Sequence, residues 1–217
     1  MDTQTRANLT QGISCHPVYT MVLKEVLARK QYFPLIIDVG CGRCNFYTYI
    51  KGYIEKYIGV DIIKYEGIPN EVSFVCCDLN MDNIPLESEK ADLVVSIETI
   101  EHLENPRNFF RQLVRLIKPG GFIAVSTPNN LSLRSLGSLI LKGHFAAFQE
   151  NIGNYPLHIT ALLELDLLRI AKENQLINLA IGYSNQGKIP WVNFFWPSFL
   201  KGRLFSDNLV LLAQKPC

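Results

Sequence analysis

Glu98, Glu101 and His102 lie within one five-residue segment. If that segment opens a helix, all three side chains fall on one face, because residues three and four apart align there. Such a set can move a proton or bind a divalent cation. A second constellation lies upstream. Asp38-Val39-Gly40-Cys41-Gly42 follows an apolar run, Asp61 ends the next such run, and Asp78 closes a third. Glycines after a strand let the chain turn tightly and bring backbone N–H groups against a ligand. A carboxylate about twenty residues further on can accept hydrogen bonds from both hydroxyls of a ribose. Asp78 can receive an adenine amino group.

These residues need a parallel sheet to hold them. Leu35–Val39 reads as a strand apolar on both faces, as a parallel strand covered by helices must be, and Tyr57–Asp61, Val72–Cys77, Asp92–Ile97 and Phe122–Ser126 read as further strands. Between them come helical patterns. Val18, Val22, Val26 and Tyr19, Leu23, Leu27 repeat every four residues within Pro17–Lys30, and a short helix starts near Asn45. A further helix takes Asn105 as N-cap and Pro106 in its first turn, faces Phe109, Phe110, Leu113, Leu116 and Ile117 inward, and is stopped by Pro119-Gly120-Gly121. Thr160 is the expected cap of a last helix, before strands near Leu176–Tyr183 and Asn208–Gln214. The alternation predicts a doubly wound α/β sheet.

The conjunction of glycine loop and ordered strand-terminal acids resembles the class I S-adenosylmethionine-dependent methyltransferases. Leu35–Asn45 is similar to the family's first motif, Tyr57–Ile62 to its ribose segment, Val75–Asn80 to its adenine segment, Ala91–Pro106 to its fourth-strand motif and Ile117–Asn129 to its fifth. The likeness implies a Rossmann-like seven-stranded sheet of order 3-2-1-4-5-7-6 with the last strand antiparallel. It also implies S-adenosylmethionine as cofactor. Gly40, Cys41 and Gly42 would flank the methionine part through backbone atoms, Asp61 would hold the ribose, and Asp78 and Leu79 would frame the adenine. Asp38, Ile62 and Ile97 complete the implied cofactor-binding set. The chain departs from the pattern at Cys44, where most members carry a third glycine. Two other readings are weaker. The glycines and acids can merely shape turns and cap strands, and a dinucleotide site would want glycine where Asn45 stands and a second mononucleotide half.

Methyl transfer is an in-line displacement on an activated sulfonium, so the protein mainly aligns donor and acceptor. A base is needed where the acceptor carries a proton. Glu98, His102 and His158 are the expected catalytic residues. The Glu-x-x-Glu-His segment with a downstream histidine resembles metal-dependent members among the ubiquinone-biosynthesis O-methyltransferases and the RNA 3′-terminal 2′-O-methyltransferases. A metal, if present, would take Glu98, Glu101, His102 and His158. The segment is also widespread in metal-free methyltransferases, and the metal-free reading is preferred.

The chain of 217 residues, 48% hydrophobic, is expected to form a single methyltransferase domain over 1–217. Its cofactor-binding core is expected at 33–130, with substrate-covering insertions at 131–158 and 184–206 that act as a lid. The net charge of +1 hides a mild asymmetry, with 12 basic and 15 acidic side chains over 1–117 against 9 and 5 over 118–217. That is too weak for a nucleic-acid footprint, and the row Arg107, Arg111, Arg115, Lys118 reads as a solvated helix face. The polar first dozen residues and the absence of a long apolar run point to a cytoplasmic chain. The six cysteines, with Cys76 and Cys77 adjacent, read as free thiols, and a four-thiolate zinc site from Cys41, Cys44, Cys76 and Cys77 is the weaker reading.

The expected acceptor is a small or medium-sized molecule, apolar or amphipathic, methylated on oxygen, with N- or C-methylation as alternatives. Pro190-Trp191-Val192-Asn193-Phe194-Phe195-Trp196-Pro197, followed by Lys201 and Arg203, suggests peripheral membrane contact, with core closure or a dimer interface as the plain alternatives. The other functional readings are a non-catalytic cofactor-binding or regulatory protein and an RNA 2′-O-methyltransferase. The sequence leaves the oligomeric state open.

Overall fold

The computed structural model describes residues 3–10, 12–80, 83–149, 158–185, 187–192, 194–197 and 199–217. Seven strands form one sheet: β1 (Phe33–Val39), β2 (Ile54–Asp61), β3 (Val72–Cys76), β4 (Ala91–Ile97), β5 (Ile117–Pro128), β6 (Ile177–Tyr183) and β7 (Asn208–Gln214). Their order is β3-β2-β1-β4-β5-β7-β6, with β7 antiparallel to both neighbours. This is the order implied by the resemblance.

Strand side chains alternate between the faces, and the two cores record it. Ile37, Val94, Ile123, Val125, Leu209 and Leu211 point into one core, and Ile36, Leu93, Val95, Ala124, Val210 and Leu212 into the other. The first is closed by α4 (Pro106–Leu116) through Phe109, Phe110, Leu113 and Leu116, and by α6 (Glu164–Glu173) through Leu167, Ile170 and Ala171. The second is closed by α2 (His16–Leu27) through Val18, Tyr19, Met21, Val22 and Val26, and by α3 (Asn45–Ile50) through Phe46 and Ile50.

Asn105 caps α4 as expected, its side chain accepting from the Asn108 N–H at 3.0 Å. Thr160 does not cap α6. Leu163 precedes that helix, and the Asp166 carboxylate folds back to the Leu163 N–H at 3.0 Å, supplying the terminal acceptor instead. Thr160 is committed elsewhere: its N–H donates to Glu101 O at 3.0 Å and its hydroxyl to Leu103 O at 2.6 Å. Pro119-Gly120-Gly121 lies inside β5, which is longer than the expected Phe122–Ser126. The loose stretch after Pro128 contains another helix, α5 (Leu133–Lys142), and a helix read at neither end of the sequence pattern, α1 (Thr3–Thr10), opens the chain. The 150–157 part of the expected 131–158 insertion lies outside the described residues.

The chain reverses its winding between β1 and β4, which are neighbours at the centre of the sheet. A crevice opens beyond the carboxyl ends of strands at such a switch point. Gly40 follows β1 there and Glu98 follows β4.

Candidate active site

A cavity of about 370 Å³ occupies this crevice. Its cradle begins at Gly40, whose φ of +77° is glycine's province. A Cβ there would stand 2.2 Å from Thr99 Oγ1, so the loop after β1 lies directly on the loop after β4. Cys44, at the third-glycine position of the resembling family, also takes a left-handed φ of +58°. The loop thus keeps the glycine-type backbone turn at a residue with a side chain.

Asp61 lines the next wall. Its Oδ2 accepts from the Gly42 N–H at 2.8 Å and its Oδ1 from the Ile62 N–H at 2.7 Å. The carboxylate is therefore fixed in orientation while keeping acceptor capacity on Oδ2, which takes only the Gly42 N–H. Burial raises its pKa, with the three backbone N–H groups of Gly42, Ile62 and Ile63 pulling the other way. Ile62 and Leu79 give this end an apolar lining, and Ile97 continues it.

Not every expected cofactor residue reaches the wall. Asp38 is buried and accepts from the Tyr57 hydroxyl, and desolvation pushes its pKa up to about 7 against that hydrogen bond. Cys41 is buried with its thiol against Gly42 O at 3.6 Å, and a Cβ at Gly59 would touch both Cys41 Sγ and Cys44 Sγ at 2.8 Å. Gly42 works through the N–H it gives Asp61. Asp78 turns its carboxylate to the Asn80 N–H at 3.0 Å and does not line the cavity, while its neighbour Leu79 does.

The far wall holds Glu98, His102 and His158. Here the expected helical turn is absent. Glu98 has φ +53°, Thr99 is non-helical, and only Ile100–His102 form a short 3-10 turn. Glu98 consequently finds its hydrogen-bond partners on β5 and β7. Its Oε2 accepts from Asn208 Nδ2 at 2.8 Å and its Oε1 from Ser126 Oγ at 3.3 Å. Burial outweighs those two hydrogen bonds and lifts its pKa to about 7.

Glu101, His102 and His158 form a separate group whose ligand atoms lie within 4.8 Å of one another. The two imidazole rings meet edge to face with centroids 4.7 Å apart. His158 Nδ1 is 2.7 Å from Ala147 O, and a carbonyl only accepts, so Nδ1 carries the proton and Nε2 keeps its lone pair. Burial lowers the His158 pKa and favours this neutral form. Glu101 is fully buried with both carboxylate oxygens lacking a hydrogen-bond partner. Its pKa is driven well up by burial and by the Glu98 carboxylate.

Sequence reasoning missed the roof. Ala7 of α1 and Gly12, Ile13, Ser14 and Cys15 line the cavity, as do Thr99 and Leu103. Ala7 O accepts from the Tyr65 hydroxyl at 2.7 Å, and the Gly12 backbone crosses Gly42 so closely that a Cβ on Gly42 would lie 2.2 Å from Gly12 O. A polar segment without hydrophobic periodicity offers no signal for such a contact, and only the isolated Gly12 marks it. The basic row on α4 is largely consumed: Arg107 pairs with Glu173, Arg115 donates to Ile84 O and Leu86 O, and Lys118, just beyond the helix, pairs with Asp92 at 2.6 Å.

Residues 37–125 match the sequence model of the family described as "Methyltransferase domain". A chloroplastic tocopherol O-methyltransferase of Arabidopsis thaliana is 31% identical over 195 residues, covering 82% of this chain and 53% of that protein. A mitochondrial ubiquinone biosynthesis O-methyltransferase of Dictyostelium discoideum is 31% identical over 125 residues, covering 48% of this chain and 38% of that one. The chain thus spans about half, or less, of the length of these curated relatives. The crystal structure of a SAM-dependent methyltransferase from Archaeoglobus fulgidus superposes with a TM-score of 0.66 at 19% identity, covering 99% of this chain and 100% of that one, a likeness of fold. The family's donor, S-adenosylmethionine, fits what the crevice offers: a backbone cradle at Gly40, an oriented carboxylate at Asp61 and an apolar slot at Ile62 and Leu79. By sheet order and switch-point crevice this chain has the fold of the class I S-adenosylmethionine-dependent methyltransferases, and its residues 37–125 match a methyltransferase domain.

Proposed function

We propose that the chain transfers the methyl group of S-adenosylmethionine to oxygen on a small or medium-sized, apolar or amphipathic acceptor. The observation that carries this reading is the continuity of one cavity from Gly40 and Asp61 to Glu98, His102 and His158. The donor's sulfonium belongs above Gly40, with Asp61 on the ribose, and the remaining volume faces groups able to take an acceptor proton. Neutral His158 Nε2 and the Glu98 carboxylate are the two bases. Two relatives whose names specify O-methylation of tocopherol or in ubiquinone biosynthesis support oxygen and an apolar acceptor.

The test is transfer of a labelled methyl group to a panel of phenols, catechols and amines, with donor affinity measured separately by calorimetry. Product on phenolic oxygen supports the reading. Donor binding with no transfer to any acceptor leaves the regulatory reading, and exclusive amine products move the chemistry to nitrogen.

A second reading has its own observation. Glu101, His102 and His158 offer a carboxylate and two imidazoles at ligand spacing, and the Glu101 oxygens are buried without partners. The donor set suits a divalent transition ion, which would lower the pKa of an acceptor hydroxyl when bound. The Ala147 carbonyl fixes the His158 ring as second-sphere partners of ligating histidines do. Glu98, committed to Asn208 and Ser126, stands outside this set.

A further inference from the structure

α5 and the described residues of 188–204 touch each other and expose large apolar side chains. Ile140 is 81% exposed, Trp191 74%, Phe194 71% and Phe199 79%, values at which large side chains gain little from the fold itself. The two segments are continuous. A Cβ on Gly137 would meet the Trp191 ring at 3.1 Å, and Leu133 N–H donates to Leu204 O at 2.9 Å. The aromatics are held rather than loose: Lys188 bridges Phe195, Ile189 N–H donates to Phe194 O at 2.9 Å, and Trp196 N–H donates to Gly187 O at 2.9 Å. Trp191, Val192 and Phe194 lie between these bonded positions.

The two segments themselves carry charge of one sign. Residues 131–148 and 184–206 contain Arg134, Lys142, Lys188, Lys201 and Arg203 and no Asp or Glu. Arg134 and Arg203 lean on Asp207 and Glu164 at 3.6 and 3.9 Å, while Lys142 and Lys201 are exposed in the same two segments. We propose that this face docks on an anionic lipid bilayer, with Trp191, Phe194, Phe199, Ile140 and Leu141 entering the headgroup boundary and the lysines meeting lipid phosphates. A second copy fits less well, because a twofold contact sets like cations against each other. Single-stranded RNA would stack on the rings but leave Ile140 and Leu141 in water. Among the described residues no helix is long and apolar enough to cross a membrane.

The face adjoins the cavity. Asp207 accepts from the Lys188 N–H at 2.9 Å, its neighbour Asn208 holds Glu98, and the Asp207 charge reaches Cys15 in the cavity wall. A lipid-soluble acceptor would then leave the bilayer beside the site. That last consequence rests on the proposed methyl transfer, whereas docking does not.

The test is co-sedimentation of the full chain with vesicles of phosphatidylglycerol and phosphatidylcholine, against phosphatidylcholine alone. Binding is expected to favour anionic vesicles by about tenfold or more and to weaken with salt. The exposed-site variant Phe194→Ser/Phe199→Ser is expected to lose about tenfold in binding, and Lys142→Glu/Lys201→Glu the anionic preference, with S-adenosylhomocysteine affinity unchanged in both. Failure to sediment with anionic vesicles at low salt overturns the proposal. So does wild-type binding by the variants, a concentration-dependent dimer that the same substitutions abolish, or retention of single-stranded RNA in place of lipid. Donor affinity, read in parallel, separates loss of docking from failure of the cofactor site.

Discussion

Asn208, at the start of β7, donates to Glu98 Oε2 at 2.8 Å across more than a hundred residues of sequence, and so holds a half-buried carboxylate at the end of β4 in the cavity wall. Glu98 holds a left-handed φ of +53° to meet it. Strain of this kind persists only where surrounding contacts over-determine it, and it gathers at functional sites.

Glu98 is neutral below its raised pKa of about 7 and charged above it. As a base it must be charged, so kcat/KM is expected to rise with pH through about 7 and to lose that limb in Glu98→Gln. A profile unchanged in the variant removes Glu98 from the chemistry.

The same shift predicts a stability effect of fixed sign. The folded state holds the Glu98 proton more tightly than the unfolded chain, so its contribution is full below the ordinary carboxyl pKa of 4.5 and is lost as pH rises to about 7. Asp38, also lifted to about 7, acts in the same direction. Glu98→Gln should therefore melt higher than wild type at pH 8, with the advantage gone near pH 4.5. Thermal melts at the two pH values measure it.

Asp61→Ala removes the acceptor expected to hold the ribose and frees the Gly42 and Ile62 N–H groups. A loss of about 1.5–3 kcal/mol in donor binding is expected, roughly 10- to 100-fold in Kd for S-adenosylhomocysteine by calorimetry. Unchanged affinity would place the ribose elsewhere.

Gly40→Ala combines a φ of +77° with a Cβ 2.2 Å from Thr99 Oγ1. It should cost about 2–4 kcal/mol of stability and displace the β4 loop, weakening donor binding as well. Denaturant unfolding and calorimetry check the two halves.

On the second, metal-binding reading, divalent cation raises the melting temperature of the wild type and not of Glu101→Gln, in which a neutral amide replaces the buried carboxylate. A melt indifferent to Mn2+ in both proteins leaves proton transfer as the only reading of the far wall.

The sheet was legible because its causes are local. Strands apolar on both faces, helices with one apolar stripe and glycine after β1 each leave a mark within a few residues, and the resemblance supplied their order. Asp61 and Gly40 were legible for the same reason: each sits at a strand end, where the pattern says where a side chain must stand. Tertiary structure alone decided the rest. The sequence spacing put Glu98 with Glu101 and His102, but hydrogen bonds from Asn208 and Ser126 turn it away, leaving His158 to complete the other group. Ala7, Gly12 and Cys15 reach the cavity in a stretch where Gly12 crosses the Gly42 turn and Ala7 O meets the Tyr65 hydroxyl, contacts between segments that carry no periodic signal. Local patterning fixes which way a strand faces. Which distant groups share a pocket depends on long-range packing and hydrogen bonds, which spacing along the chain does not encode.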